Sequence, residues 1–278
     1  KPYFMGIDIG TFESKGVLTD TQGSVVAYRA CPHLMESPQP GYAEHDAEAT
    51  WWHDLCQLSN GLIADSGVHP RDIVSLGVSG IGPCCLPVDD GLRPLRKAIL
   101  YGIDVRAAKE IEFLNGIIGQ EAILERYGTP LTTQSAGAKV LWIKNNEPEV
   151  YAKTAKFVTS STYLVAKLTG NYPIDRYTAA TWVPLYNVDE EDWEENLWGI
   201  CRRDQLAGGD DTRRAARSRR SIARRRLLGS RRRLAGFYWE RPDLPVVGEG
   251  EQPAIRRPDG RCAGGDAGEG AVAGGPEQ

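Results

Sequence analysis

The 278-residue sequence lacks the signatures of several common protein classes. No run of about 18 apolar residues is present, so we expect no membrane-spanning helix. The six cysteines form no Cys-x-x-Cys pair and no His-x-x-x-His spacing accompanies them, which argues against a zinc site. No Asn-x-Ser/Thr acceptor occurs, and the first residues resemble a strand rather than an export signal. We therefore expect a cytoplasmic protein whose cysteines are small apolar residues in a reducing compartment.

Lysine is missing beyond residue 200, and this absence marks a change in composition. Residues 201–278 contain 17 Arg and 11 Asp or Glu, a net charge of +6, whereas residues 1–200 carry a net charge of −10. We expect one folded domain over 1–200 and a poorly ordered Arg/Gly/Ala-rich tail over 201–278, with no recognisable complete domain in it. A reading-frame shift or truncation in a GC-rich gene would explain the tail, because lysine and asparagine come from AT-rich codons.

Hydrophobic spacing over residues 1–200 predicts an α/β or α+β domain. Trp51, Leu55, Leu58 and Leu62 recur at helical spacing after Asp46, a residue type that caps helix N-termini. Strands are predicted near 3–9, 16–19, 25–28, 73–78, 85–88 and 98–101, and helices from 46, from about 104, and near 137–146, 148–153 and 161–168.

The segment Gly6-Ile7-Asp8-Ile9-Gly10-Thr11, followed by Lys15, is the sharpest local motif. A carboxylate at the end of a buried strand costs free energy unless it is hydrogen-bonded or faces a cation. The N–H groups of the tight turn at Gly10 and Thr11 could face an anion, and a Mg²⁺–phosphate complex would satisfy both features. The Gly-x-x-x-x-Gly-Lys-Ser/Thr phosphate loop is absent. The alternative is a plain hairpin with a capping Asp8 and a solvated Lys15.

Segments in a fixed order along residues 3–200 resemble the FGGY carbohydrate kinases, and within them the xylulokinases. The Asp-Ile-Gly-Thr turn resembles the first phosphate loop of actin-like kinases. The other segments that carry the resemblance are Glu44–Glu48 leading to Trp51-Trp52, Leu76–Gly80, Leu95–Arg106, Ala138–Trp142, Thr159–Leu168, and Asp175 with Thr178–Thr181.

The resemblance implies a ribonuclease-H-like, actin-like ATPase domain, with a mixed five-stranded sheet and flanking helices, as the first of two domains. It implies ATP-dependent phosphoryl transfer to a hydroxyl of a pentulose such as xylulose, or of a related sugar or polyol. Asp8 would position Mg²⁺ and the phosphates of ATP, and Gly10, Thr11 and Lys15 would contact the phosphates. The implied sugar pocket comprises Ser79, Gly80, Ile81, Gly82, Tyr101, Asp104 and Arg106.

The sequence departs from the family pattern at three places. Ile81-Gly82-Pro83-Cys84-Cys85 stands where xylulokinases usually carry Gln-Met-His-Gly, which puts xylulose itself in doubt. The segment Tyr101–Asp104 holds one residue more than the usual Trp-Asn/Gln-Asp. The family's second domain, with its adenine pocket and general base, has no counterpart beyond a weak Gly-Gly-Asp match at Asp266. The isolated chain is therefore expected to be inactive or nearly so.

Other interpretations stay open at this point. The chain could be a non-catalytic fragment that binds a sugar or an anionic polymer. Nucleic acid is not an expected partner, because residues 202–236 contain no aromatic residue for base stacking. An actin-like protein of the acetate kinase or chaperone type is a further alternative, and a homodimer is left open. Asp104 and Arg106 could instead form an exposed ion pair at a helix start, with Asp104 as its cap.

Overall fold

The computed structural model describes residues 1–194, 199–200 and 205–206. The predictions about the arginine-rich tail and Asp266 lie outside these residues. The ten strands of the described part are β1 Tyr3–Ile9, β2 Glu13–Asp20, β3 Val25–Pro32, β4 Glu44–His45, β5 Ile73–Gly80, β6 Leu86–Val88, β7 Ala98–Ile99, β8 Lys156–Val158, β9 Tyr186–Asn187 and β10 Asp192–Trp193. Its seven α-helices are α1 His53–Ser66, α2 Ala108–Ile118, α3 Gln120–Tyr127, α4 Ala136–Asn146, α5 Pro148–Lys153, α6 Ser160–Thr169 and α7 Arg176–Ala180.

A mixed sheet in the order β3-β2-β1-β5 organises the N-terminal half. β2 runs antiparallel to β1 and β3, whereas β5 runs parallel to β1. Within the described residues this sheet has four strands, not the five we expected. The chain after β5 contains Pro83, which cannot donate to a ladder. The next strand, β6, pairs instead with β8 in a separate two-stranded sheet.

Helix α1 covers one face of this sheet, as its apolar spacing predicts. Leu55, Leu58 and Leu62 are buried against that face. Gly16 on β2 permits the close approach, since a Cβ there would lie 2.9 Å from Leu62 Cδ1. The predicted cap is confirmed: Asp46 Oδ1 accepts hydrogen bonds from the N–H groups of Glu48 and Ala49, each 2.9 Å long. This cap begins a π-helical turn, Ala47–Trp52, that leads directly into α1.

The helix predicted from about residue 104 begins later, at Ala108. Asp104 is not its cap, because the Asp104 carboxylate accepts from the Ala43 N–H at 2.7 Å and from Arg106. The chain between β7 and α2 is therefore tied to the segment before β4. The other predicted helices match α4, α5 and α6 to within about two residues at each end.

Candidate functional site

The turn between β1 and β2 requires a glycine at position 10. The Gly10 N–H donates to the Glu13 carbonyl at 3.1 Å, and a Cβ on Gly10 would lie 2.4 Å from that oxygen. Side chains essentially never approach so closely, so any other residue must displace the turn. We call residues 10–12 the β1–β2 turn.

Three polar residues lie side by side on neighbouring strands next to this turn. Asp8 on β1 pairs in register with Lys15 on β2 and with Ser79 on β5. The Ser79 hydroxyl donates to Asp8 Oδ1 at 2.6 Å, which fixes the carboxylate while leaving it exposed. Lys15 Nζ lies 3.3 Å from Glu13 Oε1, in a surface ion pair. All three border an open groove of about 470 Å³ on the sheet face.

Tyr101 joins the turn to the segment that follows β7. Its hydroxyl lies 3.1 Å from Thr11 Oγ1, and either group can donate. This contact joins residues 90 positions apart in the sequence, at the turn between β1 and β2. The structure thus pairs Asp8 with Ser79 and Thr11 with Tyr101, and the ligand-binding roles of these residues stay a prediction.

The segment after β5 is held against the end of β1 and the start of α6. The Ile81 N–H donates to the Ile9 carbonyl at 2.8 Å, and the Ser160 hydroxyl donates to the Ile81 carbonyl at 2.7 Å. Gly80 is needed for this contact, since a Cβ would lie 2.5 Å from Ser160 Oγ. A Cβ on Gly82 would meet no atom within 4 Å, so open space adjoins the segment there.

Asp104 and Arg106 form a buried ion pair rather than an exposed one. Both side chains have 0% exposure, and Arg106 Nη2 lies 2.7 Å from Asp104 Oδ2. Arg106 Nη1 lies 2.8 Å from Glu44, and the guanidinium stacks 3.9 Å above the Tyr42 ring. The exposed-pair alternative is therefore wrong. In this structure both charged groups are bound by protein atoms, so a sugar contact through them stays a prediction.

Two histidines that the sequence analysis did not identify contact the carbonyls of the β1–β2 turn. His33 Nε2 lies 3.1 Å from the Gly10 carbonyl, and His45 Nε2 lies 3.0 Å from the Thr11 carbonyl. Burial lowers the pKa of His45 to about 4, with a smaller contribution from the neighbouring His33. No sequence signal identifies this pair, since each ring meets residues more than 20 positions away.

The described residues contain no cluster of three or more His, Cys, Asp or Glu side chains arranged to hold a metal ion. Cys84 and Cys85 are buried free thiols, and burial raises the pKa of each to about 12. Neither thiol is therefore suited to nucleophilic chemistry. Across the part of the chain that the structure describes, no helix has the length and apolar character needed to cross a bilayer.

Comparison with known proteins identifies the family to which the sequence is similar. The profile of the FGGY family of carbohydrate kinases, N-terminal domain, matches residues 3–205. Xylulose kinases of Lactococcus lactis and Escherichia coli are 28% and 29% identical over 202 and 205 residues, or 70% and 73% of this chain. The matches cover 38% and 41% of those two proteins, so the chain spans about two fifths of the length of these relatives.

Solved structures agree with the sequence comparison. A xylulose kinase structure from Rhodospirillum rubrum is 28% identical with a TM-score of 0.68, and the match covers 74% of this chain and 42% of that one. A gluconate kinase structure from Lactobacillus acidophilus, 23% identical, has the same fold with a TM-score of 0.67, over 74% of this chain and 41% of that one. These neighbours have the actin-like ATPase fold, which confirms the predicted fold class. The chain belongs to the FGGY family of carbohydrate kinases, and residues 3–205 are its N-terminal domain.

Proposed function

We propose that this chain supplies the phosphate-binding and acceptor-binding side of an ATP-dependent carbohydrate kinase. Such an enzyme transfers a phosphoryl group to a hydroxyl of a sugar or polyol. The observation that carries the proposal is the pair of side-chain contacts next to the β1–β2 turn, Ser79 with Asp8 and Tyr101 with Thr11. Phosphoryl transfer depends on positioning and charge stabilisation more than on covalent catalysis, and these residue types suit both tasks.

The residues at the turn fit magnesium-bound ATP rather than a resident metal ion. Mg²⁺ is usually bound through one or two carboxylates together with substrate phosphates. Asp8 offers one exposed carboxylate, held by Ser79, and the missing side chain of Gly10 permits the tight turn next to it. Asp8 would hold the ion, and Gly10, Thr11 and Lys15 would contact phosphate. When bound, magnesium ATP supplies the transferable phosphoryl group.

The acceptor would lie between Tyr101 and the segment 79–82. Tyr101 and Ser79 supply hydroxyls, and the open space beside Gly82 leaves room for a substrate group. Residues 81–85 bring no charged side chain to this place. We therefore assign the substrate class as a sugar or polyol, and a pentulose such as xylulose is one candidate within it. Asp104 and Arg106 would contact it only by exchanging their present partners. Cytoplasmic location remains a prediction.

A thermal-shift panel tests this proposal on the 278-residue chain. Ligands that bind only the folded state raise its stability by RT ln(1 + [L]/Kd), so weak binding registers at millimolar concentration. We expect one or more of xylulose, other pentuloses, hexuloses, gluconate and glycerol to raise the melting temperature. The Tyr101→Phe variant, which loses one hydroxyl, should show a smaller shift. If no ligand in the panel stabilises the chain, the acceptor site proposed here is wrong.

A further inference from the structure

We propose that His33 and His45 are positioning residues that orient the N–H groups of Thr11 and Phe12 toward a bound phosphate. The inference rests on the proposed function, because it assigns the phosphate contact to the β1–β2 turn. It goes further by naming which donors meet the phosphate and which side chains hold them there.

The geometry of the peptide group carries the first step. In a planar trans peptide the C=O and the N–H point to opposite sides. The Gly10 carbonyl shares its peptide with the Thr11 N–H, and the Thr11 carbonyl shares its peptide with the Phe12 N–H. His33 and His45 bind these two carbonyls at 3.1 and 3.0 Å. Both N–H groups therefore point away from the imidazole rings.

Those two N–H groups are available to a ligand. Among the described residues, neither the Thr11 nor the Phe12 N–H donates to a protein acceptor. Adjacent backbone N–H groups that point to one side form the concave donor arrangement that binds anions. A phosphate would accept hydrogen bonds from both N–H groups. If the two peptides could rotate freely, the N–H groups would no longer point to the same side.

The neighbours of His45 fix which of its nitrogens carries the proton. The Trp51 indole N–H, which can only donate, lies 3.1 Å from His45 Nδ1. Nδ1 must therefore be the acceptor, and Nε2 must carry the hydrogen that it donates to the Thr11 carbonyl. The hydrogen bond from Trp51 thus selects the neutral tautomer of His45 that can donate to the Thr11 carbonyl.

His33 is held in a different way. Its Nδ1 lies 2.7 Å from the Asp54 carboxylate and its Nε2 faces the Gly10 carbonyl, so both nitrogens meet acceptors. The ring is therefore fixed at both of its nitrogens. Asp54 Oδ2 also accepts from the hydroxyl of Ser14 at 2.7 Å, which holds the carboxylate from a second side. The two rings meet edge-on, with centroids 5.1 Å apart.

Nuclear magnetic resonance of the ¹⁵N-labelled 278-residue chain, titrated with magnesium tripolyphosphate, tests the inference. We expect the Thr11 and Phe12 amide signals to move on addition of the ligand. His45→Leu and His33→Leu should each raise the dissociation constant for tripolyphosphate about tenfold. This is the loss of affinity expected when one hydrogen bond in a buried network is removed. His45→Gln keeps a donor near the Nε2 position and should stay within about threefold of the unmodified chain. His69→Gln, on the protein surface, is the matched control and should bind as the unmodified chain does.

The outcomes separate this inference from the proposed function. If both leucine variants bind tripolyphosphate as tightly as the unmodified chain does, the positioning role is overturned. Absence of any response at Thr11 and Phe12 in the unmodified chain also overturns it, whereas the sugar site is judged by the thermal-shift panel. If a leucine variant does not fold, the ¹⁵N spectrum of His45 in the unmodified chain decides: the hydrogen on Nε2 supports the inference, and the hydrogen on Nδ1 overturns it.

Discussion

Gly10 shows how a single residue shapes the candidate site. Its missing side chain lets the chain reverse between β1 and β2, with the Gly10 N–H bonded to the Glu13 carbonyl. The same reversal places Thr11 beside Tyr101, with their hydroxyl oxygens 3.1 Å apart. The requirement is steric, because it follows from the 2.4 Å approach that a Cβ would make.

We predict that Gly10→Ala lowers the free energy of unfolding by about 2 kcal/mol, since the turn must shift to relieve the overlap. Urea denaturation of the chain measures the change. Gly82→Ala is the matched control, because its Cβ meets nothing within 4 Å, and its effect should stay within about 0.5 kcal/mol. Equal stability of the two variants would show that the turn yields more readily than its geometry indicates.

His45 gives the fold a dependence on pH with a definite sign. Burial lowers its pKa from 6.5 to about 4 in the folded chain, so between these values the unfolded chain binds a proton that the folded chain does not. Its contribution is fully present above pH 6.5 and is lost as the pH falls toward 4. The total loss is roughly 3 kcal/mol.

Chemical denaturation at a series of pH values, with and without His45→Gln, measures this contribution. The difference between the two chains removes the titration of groups that they share. We predict that the unmodified chain loses more stability than the variant between pH 6.5 and pH 4. Parallel curves for the two chains would contradict the assigned burial and tautomer of His45.

At the scale of elements, the buried ion pairs of Arg106 with Glu44 and Asp104, which we call the ion brace, tie β4 to the segment between β7 and α2. Arg106 binds Glu44 and Asp104, and its guanidinium lies 5.0 Å from the ring centroid of Trp142 on α4. The ion brace lies just beyond Tyr101 in the chain and so supports the segment that carries it. A buried charge that loses its partner is strongly destabilising.

We predict that Arg106→Leu lowers the free energy of unfolding by about 4 kcal/mol, because it leaves Asp104 without its buried cation. Arg93→Leu is the control, since Arg93 forms its ion pair with Asp89 on the surface, with 82% of its side chain exposed. Its loss should stay below about 1 kcal/mol. A small effect of Arg106→Leu would mean that water or another cation reaches Asp104.

Elements with local signals could be predicted from the sequence, and those with distant partners could not. The apolar spacing of α1 and the cap at Asp46 are set by neighbours along the chain, and both predictions are confirmed. Helix α2 begins at Ala108, later than the sequence predicts, because Asp104 has the residue type of a cap but does not act as one. Its actual partner, the Ala43 N–H, lies 61 positions away. The two histidines at the turn escaped detection for the same reason.

At the scale of the whole molecule, the described residues contain two clusters of buried apolar side chains, which reach from Met5 to Leu206. The family match ends at residue 205, close to the boundary at residue 200 that the change in composition predicts. Because the family domain ends there, we expect residues 207–278 to contribute little to the stability of that domain.

We predict that a chain ending at residue 206 melts within about 3 °C of the 278-residue chain, since a loss of about 1 kcal/mol in a domain of this size shifts the melting temperature by that order. Circular dichroism melting curves of both chains supply the comparison. A markedly lower melting temperature in the shorter chain would show that residues 207–278 complete the fold.

The most direct test of the central claim is to map where a sugar binds. The ¹⁵N-labelled chain is titrated with the polyol that gives the largest thermal shift, and amide signals are followed residue by residue. The account predicts that the largest changes occur at Ser79–Gly82 and Tyr101, next to the β1–β2 turn. Changes centred elsewhere on the chain, or no change at these residues at saturating ligand, would contradict it.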